Sequence, residues 1–121
     1  MRIKYHPTVP NSLNSSLNNT KDSLLKPPNY NNLLTTVTPN ANGGTETYTA
    51  IQDCWIGFHG YGYNGKDTKL YVDNKEIASV YSGGSIDIAL TSMFYVKKDS
   101  VVKIINNTSF AYAKMKIYST I

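Results

Sequence analysis

From Thr45 onward the chain alternates apolar and polar residues in short runs, each closed by a tight polar turn. This constrains the fold more than any other feature. Period-2 alternation gives a strand one face for a core and one for solvent. Two stretches carry the pattern best, Thr45 to Phe58 and Phe94 to Ile104. Leu70 and Val72 oppose Tyr71 and Asp73. Ile86, Ile88 and Leu90 oppose Asp87 and Ala89. Ala113, Met115 and Ile117 oppose Tyr112, Lys114, Lys116 and Tyr118. The predicted strands are Glu46–Ala50, Cys54–Tyr61, Thr68–Val72, Glu76–Tyr81, Ile86–Leu90, Phe94–Val96, Val101–Ile105 and Phe110–Tyr118. The turns between them use residues that tolerate positive φ, most clearly Asp73-Asn74. No helical pattern interrupts the series, which excludes a parallel βαβ sheet and predicts an all-β antiparallel sandwich or barrel.

Residues 1–44 differ in kind. They hold all five prolines, with Asn, Ser and Thr filling the gaps. Asn11 to Leu25 carries Leu13, Leu17, Leu24 and Leu25 near a helical stripe, capped by Asn11 or Ser12 and stopped by Pro27-Pro28. Leu33, Leu34 and Val37 suit an extended segment lying on a neighbour. The segment is too poor in apolar residues to fold alone. Two parts are therefore expected: an N-terminal arm over 1–44, irregular or partly helical, and a β-sandwich over 45–121, with Asn42-Gly43-Gly44 as the boundary.

Charged residues make up 17% of the chain, against about 25% in ordinary globular domains. The polar surface is consequently built from Asn, Ser, Thr and Tyr. Ten tyrosines supply contact area together with hydroxyl groups, which suits interfaces. The net charge of +4 is spread over scattered lysines, and no arginine follows Arg2. Nucleic-acid surfaces need clustered Lys and Arg, so no nucleic-acid partner is expected. Cys54 is the single cysteine, so no intrachain disulfide forms. His59, five residues further along one strand, points to the opposite face and is no base for its thiol. The start, Met1 to Pro7, lacks the apolar region of a secretory signal. No run approaches the roughly 20 apolar residues of a membrane span.

The stretch from Gly57 to Gly65 interleaves glycines with Phe58, His59, Tyr61 and Tyr63. A phosphate loop needs its glycines at a helix start, whereas here a β pattern continues. Two readings suit better. One is a glycine-rich strand end that another chain segment approaches closely. The other is a ligand-binding rim of Tyr61, Tyr63, Asn64 and Asp67, in which rings stack on sugar C–H faces while amide and carboxylate groups take hydroxyls. Asp67, Asp73 and Asp87 are candidate calcium ligands, but no loop has the dense carboxylate alternation of a calcium site. His6 and His59 with one cysteine do not make a zinc site. A pair such as Glu46 and Asp53 could serve as acid and base, but isolated surface carboxylates are far more often solvated. No catalytic residue, metal or cofactor is expected.

Taken together, several segments resemble a known group. They are Tyr48-Thr49-Ala50, the turn at Asp53, the aromatic strand with Trp55, Ile56 and Phe58, the hairpin Lys69 to Ile77, the segment Phe94 to Ile104 and the closing strand Ala113 to Tyr118. This arrangement is similar to the small jelly-roll domains of tailed-phage fibre, baseplate and head-fibre proteins, of the C1q and tumour-necrosis-factor fold group. It departs where Cys54 and Ser100 follow Asp53 and Asp99, positions at which such domains commonly carry glycine. The resemblance implies a homotrimeric jelly-roll knob on a virion, assembled in the host cytoplasm. Residues 1–44 would attach it to other virion proteins, and its exposed end would meet a bacterial surface glycan. Phe94, Tyr95, Tyr112 and Tyr118 are the candidate subunit contact. The alternative is a monomeric, lectin-like carbohydrate-binding module.

Overall fold

The computed structural model describes residues 25–121. Eight strands follow one another: β1 (Pro28–Val37), β2 (Gly44–Thr49), β3 (Cys54–Gly62), β4 (Lys66–Val72), β5 (Lys75–Ser82), β6 (Ile88–Val96), β7 (Val101–Asn106) and β8 (Lys114–Thr120). They form two four-stranded sheets, ordered β1-β8-β3-β6 and β2-β7-β4-β5. Every pairing is antiparallel. Each sheet thus interleaves early strands with late ones, which is the double Greek key of a jelly roll. The described residues contain no helix, so no helix there is long and apolar enough to cross a membrane.

Alternation within the strands explains the core. Cys54, Ile56 and Phe58 of β3, Leu70 of β4, Val102 and Ile104 of β7, and Met115 and Ile117 of β8 point between the sheets and are buried. The intervening residues Trp55, Lys103, Lys116 and Tyr118 are partly exposed and point outward. Turn chemistry sets the register. Asp73 and Asn74 both adopt positive φ, 49° and 68°, in the two-residue β4–β5 hairpin. Asn64 and Gly65 do the same between β3 and β4, at 51° and 76°.

Three expectations change. The sandwich does not begin at Thr45: residues 28–37, placed in the arm, form β1 and pair with β8. Asn29, Asn31, Asn32 and Pro28 hide this strand, because they are poor strand formers. They are tolerated because β1 is an edge, and its ladder with β8 is irregular between Pro28 and Thr35. The expected helix over Asn11 to Leu25 lies outside the described residues, apart from Leu25. Next, Ile86–Leu90 and Phe94–Val96 do not form two strands. Residues 88–96 are one edge strand, β6, and Ile86 and Leu90 are exposed rather than in the core. Finally, Phe110 to Ala113 is a loop preceding β8, not part of it.

The topology sends the β1–β2, β3–β4, β5–β6 and β7–β8 connections to one end of the sandwich and the other three to the opposite end. The first end is tied together by backbone hydrogen bonds. Asn42 N donates to Thr108 O at 2.7 Å, and Asn64 N donates to Gly84 O at 2.8 Å. At the opposite end Asp73 Oδ1 accepts from Val101 N, and Asp53 Oδ1 accepts from Lys98 N, each at 2.9 Å.

Candidate functional site

The end that carries the β3–β4 and β7–β8 connections holds a cluster of four aromatic rings. Phe110 and Tyr112 lie parallel, with centroids 5.2 Å apart and planes 4° off. The Tyr61 ring meets both edge-on, at 6.0 Å from Phe110 and 5.0 Å from Tyr112. Tyr63 meets Phe110 at 5.7 Å and 73°. Tyr61 is only 5% exposed and forms the floor, whereas Phe110 and Tyr112 are 37% and 59% exposed. Rings this exposed in a parallel stack offer a ligand both apolar surface and, from Tyr112, a hydroxyl.

A carboxylate lies beside the rings. Tyr61 Oη donates to Asp87 Oδ1 at 2.9 Å. Burial, the hydrogen bond to Asp87 and the charge of Asp87 together push the Tyr61 hydroxyl up to about 12. The phenol therefore stays a donor to Asp87, which lies exposed at the edge of the cluster.

Local sequence builds this arrangement. The side chain of Thr68, fully buried on β4, donates to Tyr61 O at 2.7 Å and locks the end of β3. Gly62 permits a close approach of β3 to β5, since a Cβ there would stand 2.7 Å from the Tyr81 carbonyl carbon. The glycine-rich stretch is thus a place where another strand comes near, and residues 57–62 remain in β3 with no helix following. On the other side Asn106, fully buried, organises the β7–β8 loop. Its Nδ2 donates to Phe110 O at 2.7 Å. Its Oδ1 accepts from Thr108 N at 3.0 Å and Thr108 Oγ1 at 2.7 Å.

Of the four rim residues predicted from sequence, Tyr61 and Tyr63 join the cluster. Asn64 sits beside them in the turn, exposed, with its backbone N–H bonded to Gly84. Asp67 is engaged elsewhere: its Oδ1 accepts from Asn107 Nδ2 at 2.7 Å, and its Oδ2 lies 3.9 Å from Lys69 Nζ. Asp87 supplies the carboxylate instead. The sequence did not place Phe110 and Asp87 at this rim, because they sit on loops that meet only in three dimensions.

The predicted subunit-contact residues do not form one patch. Phe94 packs against the core. Tyr95 and Tyr118 lie on the outer face of the β1-β8-β3-β6 sheet, beside Trp55 and Tyr30 respectively. Tyr112 belongs to the loop-end cluster. The three candidate calcium ligands are also dispersed, with Asp73 at the opposite end bonded to Val101 N, Asp67 held by Asn107 and Asp87 holding Tyr61. No group of three or more metal-ligating side chains occurs among the described residues. Cys54 is buried, and burial pushes its thiol up, away from the reactive thiolate. Asp53, which with Glu46 would make the acid–base pair, is held low by the Lys98 N–H and the Tyr95 hydroxyl.

No protein-family model matches the chain, and no curated protein matches it. Among solved structures it is similar to a family 35 carbohydrate binding module from an environmental isolate. The identity is 13% over 77% of this chain and 79% of that one, with a TM-score of 0.37. It is also similar to an exo-beta-1,3-galactanase from Phanerochaete chrysosporium with galactose. There the identity is 21% over 69% of this chain and 23% of that one, with a TM-score of 0.34.

Proposed function

We propose that this jelly roll is a non-catalytic carbohydrate-binding module that takes a sugar at its aromatic loop end. The observation that carries the reading is the exposed parallel pair Phe110–Tyr112 standing over the Tyr61–Asp87 hydrogen bond. Aromatic surface accepts the apolar C–H face of a pyranose ring, and a fixed carboxylate with tyrosine hydroxyls accepts and donates to its equatorial hydroxyls. The floor is preorganised, because Tyr61, Thr68 and Asn106 are already hydrogen-bonded and gain nothing by moving. The negative Asp87 at the site favours neutral sugars over acidic ones.

Binding of the full chain to an array of neutral and acidic glycans tests this. Neutral glycans should be retained by the natural protein and lost by Tyr112→Ala. Equal retention by the variant would remove the loop end from the ligand site. The trimeric virion knob differs in one measurable respect: it requires a scattering mass near three times 13.4 kDa.

A further inference from the structure

The outer face of the β1-β8-β3-β6 sheet carries a second pattern, separate from the loop end. Strand register places Tyr118, Trp55 and Tyr95 in one row across β8, β3 and β6. The Trp55 and Tyr95 rings meet at 5.6 Å, and Tyr30 of β1 extends the row by meeting Tyr118 at 5.3 Å. The next row is Lys116, Gly57 and Met93, and the one after is Lys114, His59 and Thr91. A Cβ on Gly57 would lie 3.2 Å from Met93 Sδ and 3.4 Å from Tyr118 Cε2. The side chains of Met93 and Tyr118 therefore close over the glycine and join the aromatic row to the lysines as one floor.

Lys114 and Lys116 give the middle of this face its sign, while at its edge the Tyr95 hydroxyl is bonded to Asp53, whose charge Lys97 and Lys98 oppose. Lys114 and Lys116 are partly exposed, two residues apart on β8, and so about 7 Å apart along the strand. Every ion pair among the described residues belongs to Lys69, on the other sheet. His59 is pulled below the usual imidazole range by burial and then by Lys116 and Lys114. It therefore adds a neutral hydrogen-bonding ring, with Nδ1 3.1 Å from Thr91 Oγ1, rather than a third charge.

We infer that this sheet face is a separate binding surface for a carboxylated, uronic-acid-type polysaccharide, with sugar rings over Tyr118, Trp55 and Tyr95 and carboxylates on Lys114 and Lys116. Two cations beside a row of rings match a polymer with one anionic group per sugar. They are too sparse for a polysulfate or a nucleic acid, whose charge density calls for many clustered cations. The rings also lie partly buried against the sheet, which suits lateral stacking and not insertion between bases. The surface is independent of the loop end, where Asp87 opposes an acidic ligand.

Trp55 is the one tryptophan of the chain, so its fluorescence reads this face and not the Phe110–Tyr112 cluster. The full chain is titrated at low salt with polygalacturonate, neutral dextran and a single-stranded oligonucleotide. The expected result is a saturable change with polygalacturonate alone. It should weaken at least about tenfold in Lys114→Gln/Lys116→Gln, persist in Lys114→Arg/Lys116→Arg, and persist in Tyr112→Ala. Both lysines point to solvent, and a thermal melt confirms that the glutamine variant folds. No fluorescence change, an unweakened glutamine variant, equal binding of the oligonucleotide, or loss in Tyr112→Ala would each overturn the assignment.

Discussion

The Tyr61 hydroxyl donates to Asp87 across the gap between the end of β3 and the β5–β6 loop, at 2.9 Å. The bond joins the most buried ring of the loop-end cluster to the carboxylate beside it. It also makes the end of the sandwich sensitive to alkali. The phenol ordinarily ionises near 10.0 and in the fold holds its proton to about 12. Below pH 10 both the folded and unfolded chains keep it, and the bond's contribution is complete. Between 10 and about 12 the unfolded chain ionises first, so stability declines as pH rises. Tyr61→Phe should flatten this alkaline decline in denaturant midpoint. Asp87→Asn, which removes the charge, should bring the Tyr61 ionisation back toward its ordinary value in an absorbance titration.

Asn106 is a second point of leverage. Its side chain makes three hydrogen bonds from a fully buried position, to Thr108 N, Thr108 Oγ1 and Phe110 O. Asn106→Ala leaves the buried Thr108 N–H without its acceptor and opens a space in the core, while Thr108 Oγ1 and Phe110 O keep only each other at 3.0 Å. The expected cost is about 2–4 kcal/mol, read as a lower denaturant midpoint. Glycan binding should fall in the same variant, since the loop that positions Phe110 and Tyr112 loses its anchor.

How much of this was visible in the sequence depends on how local each signal is. Alternation in Ala113, Met115 and Ile117 and the turn at Asp73-Asn74 are read over a few residues, and the structure has them as expected. β1 was visible only in part. Leu33, Leu34 and Val37 suit an extended segment lying on a neighbour, and Leu34 and Val37 do pack against the core. Asn29, Asn31, Asn32 and Pro28 carry no strand signal and join the strand through pairing with β8. Asn106 lies just past the predicted strand Val101–Ile105, and its three bonds depend on burial, which composition does not reveal. Tyr61 and Tyr63 were found because the glycines around them stand out. Their partners Phe110, Tyr112 and Asp87 come from two other connections, and only the jelly-roll order brings those together. Asp67 looked equivalent to Asp87 by composition, yet Asn107 and Lys69 hold it.

Gly62 tests why the glycine-rich stretch is glycine-rich. A methyl there would stand 2.7 Å from the Tyr81 carbonyl carbon and 2.8 Å from Ser82 N, both backbone atoms that no rotamer change can move. Gly62→Ala should therefore push β3 and β5 apart and cost about 1–3 kcal/mol or more. Gly65→Asn is the control. It has open space around its Cβ and φ of 76°, a conformation asparagine tolerates. Its melting temperature should stay close to that of the natural chain.

The loop-end rings can be separated from the fold that carries them. Tyr112 is 59% exposed and sits before β8, so Tyr112→Ala removes ring surface while the core of Met115, Ile117 and Phe58 stays intact. Its thermal midpoint should be nearly unchanged, and binding of a neutral glycan should weaken by about tenfold or more, the scale of one well-placed stacking ring. Phe110→Ala should weaken binding as well, with some loss of stability, because Phe110 also packs on Tyr61 and Tyr63. Calorimetric titration of both variants beside Asp87→Ala distinguishes the contributions. Ring removal should lower affinity for every glycan that binds, whereas loss of the carboxylate should change which sugar epimer is preferred. If all three variants bind as the natural chain does, the loop end has no part in recognition.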